Sequence, residues 1–263
     1  MSSDALKAGC DLRFEQVSFG YGGQPLFRDL SVAFPRGAIS CIVGPNGCGK
    51  STLAKLACGF LVPQTGKVEL QGRDVRMLAP KQRARSIALF EQQQAVPAMT
   101  VEQYVACGRF PYKQAFSGPS KADVQAVDQA LRDAGVTELR GRALRSLSGG
   151  QRQRVRMALV LAQQAPVVFF DEPTSFMDVA ACFDAMDLVR SLRSEERTVV
   201  AVVHDLDMAL KLADRVFVLD RGAMIAHGSP ESDQVQQAIQ SAFRVRLELL
   251  RGESGVHWTA FRP

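Results

Sequence analysis

The sequence has little of what marks membrane-spanning, secreted or zinc-stapled proteins. Its longest apolar stretches, such as Thr198–Val203 and Val167–Phe170, are far shorter than the roughly 20 residues that a membrane-spanning helix needs. The amino terminus lacks a basic start followed by an apolar block, so a secretory signal is not expected. The six cysteines form no CxxC pair and no zinc-like spacing, and free thiols are therefore predicted. These absences favour a protein of the cytosol.

The chain also lacks a strong charge of one sign. It has 32 basic and 27 acidic residues and a formal net charge of +5. The basic residues are spread out, apart from a run formed by Arg140, Arg142, Arg145, Arg152, Arg154 and Arg156. Such a run fits a solvated or phosphate-facing helix surface about as well as a nucleic-acid surface. With 263 residues and 46% hydrophobic content, one large core with a smaller appended subdomain is expected.

What the sequence does contain is a succession of strand patterns. Near the amino terminus, apolar and polar residues alternate on both sides of a Tyr21-Gly-Gly turn, which predicts an antiparallel edge sheet. Buried-strand patterns follow at Ile39–Val43, Val167–Phe170, Val199–Val203 and Arg215–Leu219, with helix patterns between them. This alternation indicates a parallel sheet covered by helices. The predicted fold class is α/β.

A helical insertion interrupts these strands. Within it, Ser120 and Asp123 fit a capping box, an apolar helix face follows, and Gly135 ends the pattern. A Ser-Pro helix start at Ser229 leads to a final helix and two short strand patterns. We expect a core with its β subdomain in residues 1–92 and 163–230, a helical subdomain in residues 93–162, and a short extension in residues 231–263.

The segment Gly44–Ser51 matches the phosphate-loop pattern GxxxxGK[ST] and lies between a strand pattern and a helix pattern. There, backbone N–H groups and a helix N-terminus can surround phosphates, and glycines permit the close approach. Lys50 would reach the β- and γ-phosphates of ATP, and Ser51 would ligate Mg²⁺. The residues predicted to bind ATP here are Gly44, Pro45, Asn46, Gly47, Cys48, Gly49, Lys50, Ser51 and Thr52.

Two adjacent carboxylates, Asp171 and Glu172, follow the strand pattern Val167–Phe170. Alone, such a pair is more often a solvated end of a strand. Beside a phosphate loop that emerges from the same sheet, it suits nucleotide hydrolysis. We expect Asp171 to hold Mg²⁺ and Glu172 to polarise the attacking water.

The motif Leu-Ser-Gly-Gly-Gln at residues 147–151 precedes the acidic pair and opens a helix pattern. With this motif the sequence resembles the ABC ATPase family over nearly the whole chain. The resemblance implies a phosphate-loop NTPase core in which this signature loop faces the γ-phosphate held by a second copy of the chain. The loop residues implied to act there are Ser148, Gly149, Gly150 and Gln151. One chain would then complete only half of each active site.

The resemblance also assigns roles near the γ-phosphate. His204, after the strand pattern Val199–Val203, matches the family's switch histidine, which helps to hold the water-polarising geometry. Gln92 matches the glutamine that senses Mg²⁺ and water, and Gln93 and Gln94 leave its register open. The metal ligands implied in this way are Ser51, Gln92 and Asp171.

Two further residues carry family roles. Asp178 fits the loop that communicates across the dimer, with Met177 where the family usually has leucine. Tyr21 resembles the aromatic residue that stacks on adenine, and an ordinary tyrosine at a strand end is the alternative.

Transport is the function that this resemblance favours. DNA-repair, chromosome and translation-associated ABC proteins typically carry coiled-coil or zinc insertions, or two cassettes. Exporters often fuse their membrane domain to the cassette, so a standalone cassette is similar to importers with separate permeases. The implied partners are a second copy, transmembrane permease subunits and, indirectly, a substrate-binding protein, with no nucleic acid. The implied location is the cytoplasmic face of the inner membrane.

The substrate is indicated only by further resemblance. Gly108–Tyr112, after Met99–Tyr104, looks like the permease-facing segment of siderophore, heme and cobalamin importer ATPases. The segments Leu161–Gln163 and Phe243–Val245 look similar to the same group. A ferric siderophore is the implied substrate, and heme or cobalamin is the alternative.

Overall fold

The computed structural model describes residues 9–91, 96–114, 118–174, 177–252 and 255–261. Over these residues the strands are β1 (Cys10–Tyr21), β2 (Gln24–Pro35), β3 (Ile39–Val43), β4 (Thr65–Leu70), β5 (Arg73–Asp74), β6 (Ile87–Phe90), β7 (Val167–Asp171), β8 (Thr198–Val202), β9 (Arg215–Asp220), β10 (Ala223–Gly228), β11 (Arg246–Gly252) and β12 (Gly255–Phe261). The α-helices are α1 (Lys50–Ala57), α2 (Pro80–Ser86), α3 (Val101–Ala106), α4 (Lys121–Asp133), α5 (Gly149–Gln163), α6 (Val179–Ser191), α7 (Leu206–Leu212) and α8 (Asp233–Phe243). No described helix is both long enough and apolar enough to span a bilayer.

The predicted antiparallel sheet is confirmed and has two more strands than expected. β1 and β2 form a hairpin in which Tyr21 pairs with Gln24 across the turn. The strand order β2-β1-β4-β5 places β4 on the other side of β1. Only Val68 and Leu70 of β4 are buried, so its alternation is too short to recognise from the sequence.

A six-stranded sheet in the order β10-β9-β3-β8-β7-β6 forms the centre of the molecule. Its strands are parallel except for β10, which pairs antiparallel with β9. One face packs against α1 and the antiparallel sheet, and the other against α6, α7 and α8. Burial on both faces explains the continuous apolar runs of β3, β7 and β8. The α/β prediction is confirmed, and the carboxyl ends of these three strands meet at one edge.

The insertion between β6 and β7 is helical, as expected. α3, α4 and α5 pack around their own apolar cluster, which includes Val101, Leu131 and Val155. The capping box at the start of α4 is confirmed, because the Ser120 hydroxyl accepts a hydrogen bond of 3.1 Å from the Asp123 N–H. The insertion therefore has a core of its own.

Arg109 lies inside this insertion and not on its surface. The side chain is 5% exposed, and its Nε atom donates to Asp123 Oδ1 at 2.9 Å. Its Nη1 atom donates to the Ala162 carbonyl at 2.9 Å, and the guanidinium lies 3.9 Å from the centroid of the Tyr112 ring. Arg109 is thus buried inside the subdomain and is not available for contact with a permease. Its neighbour Phe110 is 59% exposed.

The carboxyl-terminal helix begins later than the sequence predicted. Ser229 and Ser232 form a turn, with a hydrogen bond of 3.0 Å from the Ser232 N–H to the Ser229 carbonyl, and α8 starts at Asp233. The two short strands are confirmed as β11 and β12, which pair antiparallel and are called the C-terminal hairpin below. Leu247 and Trp258 of this hairpin are buried in the main core.

Candidate active site

The phosphate loop joins β3 to α1, and packing requires glycine at two of its positions. A Cβ atom on Gly44 would lie 2.0 Å from the carbonyl oxygen of Leu219. Gly49 has a φ of 114°, where other residues are strained, and a Cβ atom there would meet the ring of Phe27 at 2.6 Å. The loop can therefore take this shape only with glycine at both positions.

Lys50 is buried at the start of α1, beneath this loop. Its Nζ atom donates to the carbonyls of Gly44 at 2.7 Å and Pro45 at 3.0 Å. Burial raises the pKa of the nearby Cys48 thiol, although the Lys50 charge opposes this, so Cys48 is mainly protonated near neutral pH. The loop thus carries a cation and no reactive thiolate.

Asp171 ends β7 with a buried carboxylate. Burial raises its pKa, and a hydrogen bond with the Ser51 side chain opposes that shift. Among the described residues, no hydrogen-bond partner meets its Oδ1 atom. A buried carboxylate oxygen that lacks a partner, next to a hydroxyl group, is a suitable ligand pair for a hard divalent cation such as Mg²⁺. The residues at this position therefore fit the metal that the sequence predicted.

Glu172 has a strained backbone and a close contact with His204. Its φ is 55°, which non-glycine residues seldom adopt outside turns and functional sites. The Glu172 N–H donates to the Val202 carbonyl at 3.2 Å, which ties the residue to β8. The Oε1 atom of Glu172 contacts the Nε2 atom of His204, which follows β8. Two neighbouring strands therefore hold a carboxylate and an imidazole together.

A pocket of about 660 Å³ brings most of the predicted nucleotide residues together. Its lining comprises Tyr21, Leu26, Asn46, Gly47, Gly49, Lys50, Ser51, Thr52, Glu172 and His204. Tyr21 is 52% exposed, and its hydroxyl lies 3.3 Å from the Thr52 Oγ1 atom. The aromatic ring, the phosphate loop and Glu172 of the acidic pair thus border one space. Leu26 was not predicted, since a leucine in a strand gives no functional signal.

The signature loop, Ser148–Gln151, does not line this pocket. Ser148 is the N-cap of α5: its hydroxyl accepts a hydrogen bond from the Gln151 N–H, and Gln151 Oε1 accepts one from the Ser148 N–H. Ser148 and Gly149 are exposed, and Gly150 is half-buried. The loop therefore presents a helix N-terminus on the outside of the chain.

Asp178 and Gln92 are the remaining predicted residues. Asp178 accepts a hydrogen bond of 2.8 Å from the Ala181 N–H and so caps α6. Gln92, with Gln93 and Gln94, lies outside the described residues.

Two residues that the sequence left without a role connect α5 to the site. Gln153 donates from Nε2 to the Pro173 carbonyl at 2.9 Å. Arg156 donates to Gln153 Oε1 at 2.9 Å, and its guanidinium lies 4.9 Å from the centroid of the Phe90 ring. The arginine run was the signal that could have found Arg156.

The chain matches one family model and is similar to several known proteins. The profile of the ABC transporter family matches residues 27–175. The ferric enterobactin transport ATP-binding protein of Escherichia coli is 36% identical over 241 residues, with 91% of this chain and 89% of that protein covered. The achromobactin transport ATP-binding protein of Dickeya dadantii is 37% identical over 237 residues, which cover 89% and 88%. A cobalamin import ATP-binding protein of Halobacterium salinarum is 38% identical over 227 residues, which cover 86% and 56%.

Solved structures share the fold. A chain of a metal-chelate type ABC transporter in an inward-facing conformation superposes with a TM-score of 0.82 and 27% identity, over 96% of this chain and 98% of that one. An ATP-binding cassette solved as a dimer bound to ADP and phosphate after hydrolysis gives a TM-score of 0.74 and 26% identity, over 84% and 99%.

Proposed function

Since this chain belongs to the ABC transporter family, we propose that it is the ATP-hydrolysing subunit of an importer for a ferric siderophore. The observation that carries the ATPase assignment is the single pocket bordered by Tyr21, Lys50, Glu172 and His204. Such a pocket offers an aromatic surface for a base, donors for phosphates and a carboxylate for a water molecule. The proposed division is a core in residues 1–92 and 163–230, a helical subdomain in residues 93–162 and an extension in residues 231–263.

ATP binds with its phosphates in the loop Gly44–Ser51. The loop N–H groups and the N-terminus of α1 favour anions, and the Lys50 ammonium adds a full positive charge. Tyr21, at the tip of the β1–β2 hairpin, is exposed enough to stack on adenine. Lys50 exchanges its hydrogen bonds to the Gly44 and Pro45 carbonyls for bonds to the β- and γ-phosphates.

Asp171 and Ser51 would hold the Mg²⁺ that accompanies ATP, and Gln92 would complete the proposed set. When bound, Mg²⁺ supplies positive charge beside the phosphates of the nucleotide. The Oδ1 atom of Asp171 has no hydrogen-bond partner in the described part of the chain, and this supports the assignment because an unpaired buried oxygen is costly unless a cation meets it.

Glu172 and His204 act on the water molecule. Glu172 accepts a hydrogen bond from water and takes its proton as the water oxygen bonds to the γ-phosphorus. The bond from the γ-phosphorus to the bridging oxygen breaks, and ADP and phosphate leave. His204 contacts Glu172 Oε1 and keeps that carboxylate oriented. The strained backbone of Glu172 supports a catalytic role, because strain at φ above zero is concentrated at functional sites.

A second copy of the chain completes each site. The exposed N-terminus of α5, with Ser148 as its cap, is suited to meet a γ-phosphate, yet it does not line the pocket of its own chain. Two chains therefore enclose two ATP molecules, and the signature loop of each completes the site of the other. Asp178 caps α6 and follows the acidic pair in the sequence. We assign to it the communication between the two chains of the dimer.

The importer assignment rests on the similar proteins. Two of them are transport ATP-binding proteins for ferric enterobactin and achromobactin, and the match covers most of each chain. We assign as partners transmembrane permease subunits and, indirectly, a substrate-binding protein, with this chain at the cytoplasmic face of the inner membrane. Cobalamin is the second candidate substrate, because a cobalamin import protein is 38% identical. A role on nucleic acid is not proposed.

The test is uptake by the chain together with its permease in sealed vesicles. Labelled ferric siderophore should enter only when Mg²⁺ and ATP are present with this chain, and Glu172→Gln should stop it. If cobalamin or heme enters but no ferric siderophore does, the ATPase assignment stands and the substrate assignment is wrong. If ATP hydrolysis by the wild-type chain is no faster than by Glu172→Gln, the ATPase proposal itself fails.

A further inference from the structure

The C-terminal hairpin packs on the short helix that follows His204. α7 spans only Leu206–Leu212, and its N-cap, Asp205, is the residue next to His204. The Asp207 side chain, in the first turn of α7, accepts a hydrogen bond of 2.8 Å from the backbone N–H of Trp258 in β12. The end of the chain is therefore bound to the element that begins just after the proposed γ-phosphate histidine.

A second set of polar contacts reinforces this hydrogen bond. Lys211, one turn further along α7, donates to Asp207 at 2.7 Å, and its Nζ atom lies 2.7 Å from Nδ1 of His257. His257 Nδ1 is also 3.9 Å from Asp207 Oδ2. These groups are partly exposed, so the ionic part of the contact is screened and is worth little by itself. These polar contacts instead fix the orientation of β12 relative to α7.

Apolar packing gives the contact its strength. Trp258 and Leu247 of the C-terminal hairpin are 6% and 8% exposed, and they share one core cluster with Val203 and Leu210. The indole ring buries a large apolar area, which is the main favourable term in such packing. The C-terminal hairpin is consequently part of the core beneath α7.

A helix as short as α7 depends on such support. Isolated helices of two turns are unstable in water, because nucleation is costly and few hydrogen bonds follow. α7 buries Ala209, Leu210 and Leu212 against the core, and it also packs against β12. Loosening β12 would therefore loosen the first turn of α7 and, with it, the backbone of His204.

We propose that the C-terminal hairpin is a brace that sets the position of His204, with Asp207 and Trp258 as positioning residues. Neither residue touches the nucleotide pocket, so both act through His204 on its contact with Glu172. This inference rests on the proposed ATPase function. It gives the extension in residues 231–263 a role in hydrolysis that no feature of its sequence indicated.

The first experiment measures steady-state hydrolysis by the full chain. Asp207→Ala should lower kcat about tenfold and change KM for ATP less than about twofold, because small misplacement of a group near the reaction slows chemistry more than binding. Asp207→Asn keeps an acceptor for the Trp258 N–H and should recover most of kcat. The matched control is Phe261→Ala, an exposed side chain on the same strand, with unchanged kcat.

The second experiment separates positioning from general destabilisation. In single-turnover hydrolysis, His204→Ala should be slow, and adding Asp207→Ala should slow it less than about twofold further, since residues that act as a unit are not additive. The brace would be overturned if the rate losses of the two single variants multiplied in the double variant, or if folded Asp207→Ala had the wild-type kcat. Trp258 is the only tryptophan, so its emission reports whether the C-terminal hairpin stays docked in each variant. If the wild-type chain is no faster than Glu172→Gln, the ATPase proposal fails and the role of the brace in hydrolysis fails with it, whereas loss of the Asp207 effect in an active chain refutes the brace alone.

Discussion

The Oε1 atom of Glu172 contacts the Nε2 atom of His204 although the two residues are 32 positions apart. β7 and β8 are neighbours in the sheet, and Asp171 is paired with Val202, so the residues that follow each strand meet at its carboxyl end. A carboxylate held in this way is placed to accept a proton from water.

Glu172→Gln should therefore lower the hydrolysis rate by a factor of about 10² or more, because the water loses its proton acceptor. ATP binding should be kept, since Lys50 and Asp171 are unchanged. Phosphate release and binding of a fluorescent ATP analogue measure the two effects. Lys50→Ala is the contrasting variant, with weakened binding. Turnover near the wild-type rate in Glu172→Gln would exclude Glu172 as the base.

The exposed signature loop predicts an ATP-dependent dimer. The mass of Glu172→Gln, measured by light scattering with Mg²⁺ and ATP, should double, because the unhydrolysed ATP holds two chains together. Adding Ser148→Arg should prevent this by crowding the nucleotide of the partner. Ser146→Arg, an exposed position just before the loop, is the control and should still dimerise. Equal dimer formation in both double variants would contradict the shared site.

The buried pair of Arg109 and Asp123 predicts a pH-dependent stability. Hydrogen bonds from Ser120 and Arg109 lower the pKa of Asp123 to about 2. A lowered pKa means that the ionised form stabilises the fold above the unfolded pKa, and that this contribution is lost as the pH falls toward about 2. Asp123→Ala should lower the free energy of unfolding by about 3 kcal/mol near neutral pH, since it leaves Arg109 buried without its partner.

Urea unfolding of the wild type and Asp123→Ala across the acid range measures this difference. It should shrink below about pH 4, where the unfolded carboxyl is already protonated. The control is Asp128→Ala on the same helix, whose ion pair with Arg140 is partly exposed and should matter by less than about 1 kcal/mol. A difference for Asp123→Ala that is constant with pH would show that the charge is not responsible.

Phe110 replaces Arg109 as the residue to test for coupling to a permease. Phe110→Ala should leave hydrolysis by the free chain within about twofold, because the exposed ring does not line the nucleotide pocket. Siderophore uptake in vesicles should fall about tenfold or more if the ring is an interface anchor. Val124→Ala removes another exposed apolar side chain of the same subdomain and should change neither activity. Loss of hydrolysis and uptake together would contradict the assignment of Phe110 to the permease interface.

The sequence by itself determined the features that depend on neighbours along the chain. The phosphate loop, the acidic pair after β7 and the cap of α4 are each encoded within a few residues, so their patterns were readable. The buried parallel strands were readable for the same reason, since burial on both faces demands an unbroken apolar run.

Only the tertiary structure decided what distant residues do to one another. It paired Glu172 with His204, buried Arg109 against Asp123, and left one oxygen of Asp171 without a partner among the described residues. It also brought Trp258 to Asp207, 51 positions away. These contacts follow from strand order and from the packing of helices on the sheet, and no local pattern contains either, because the residues share an environment only after the chain has folded.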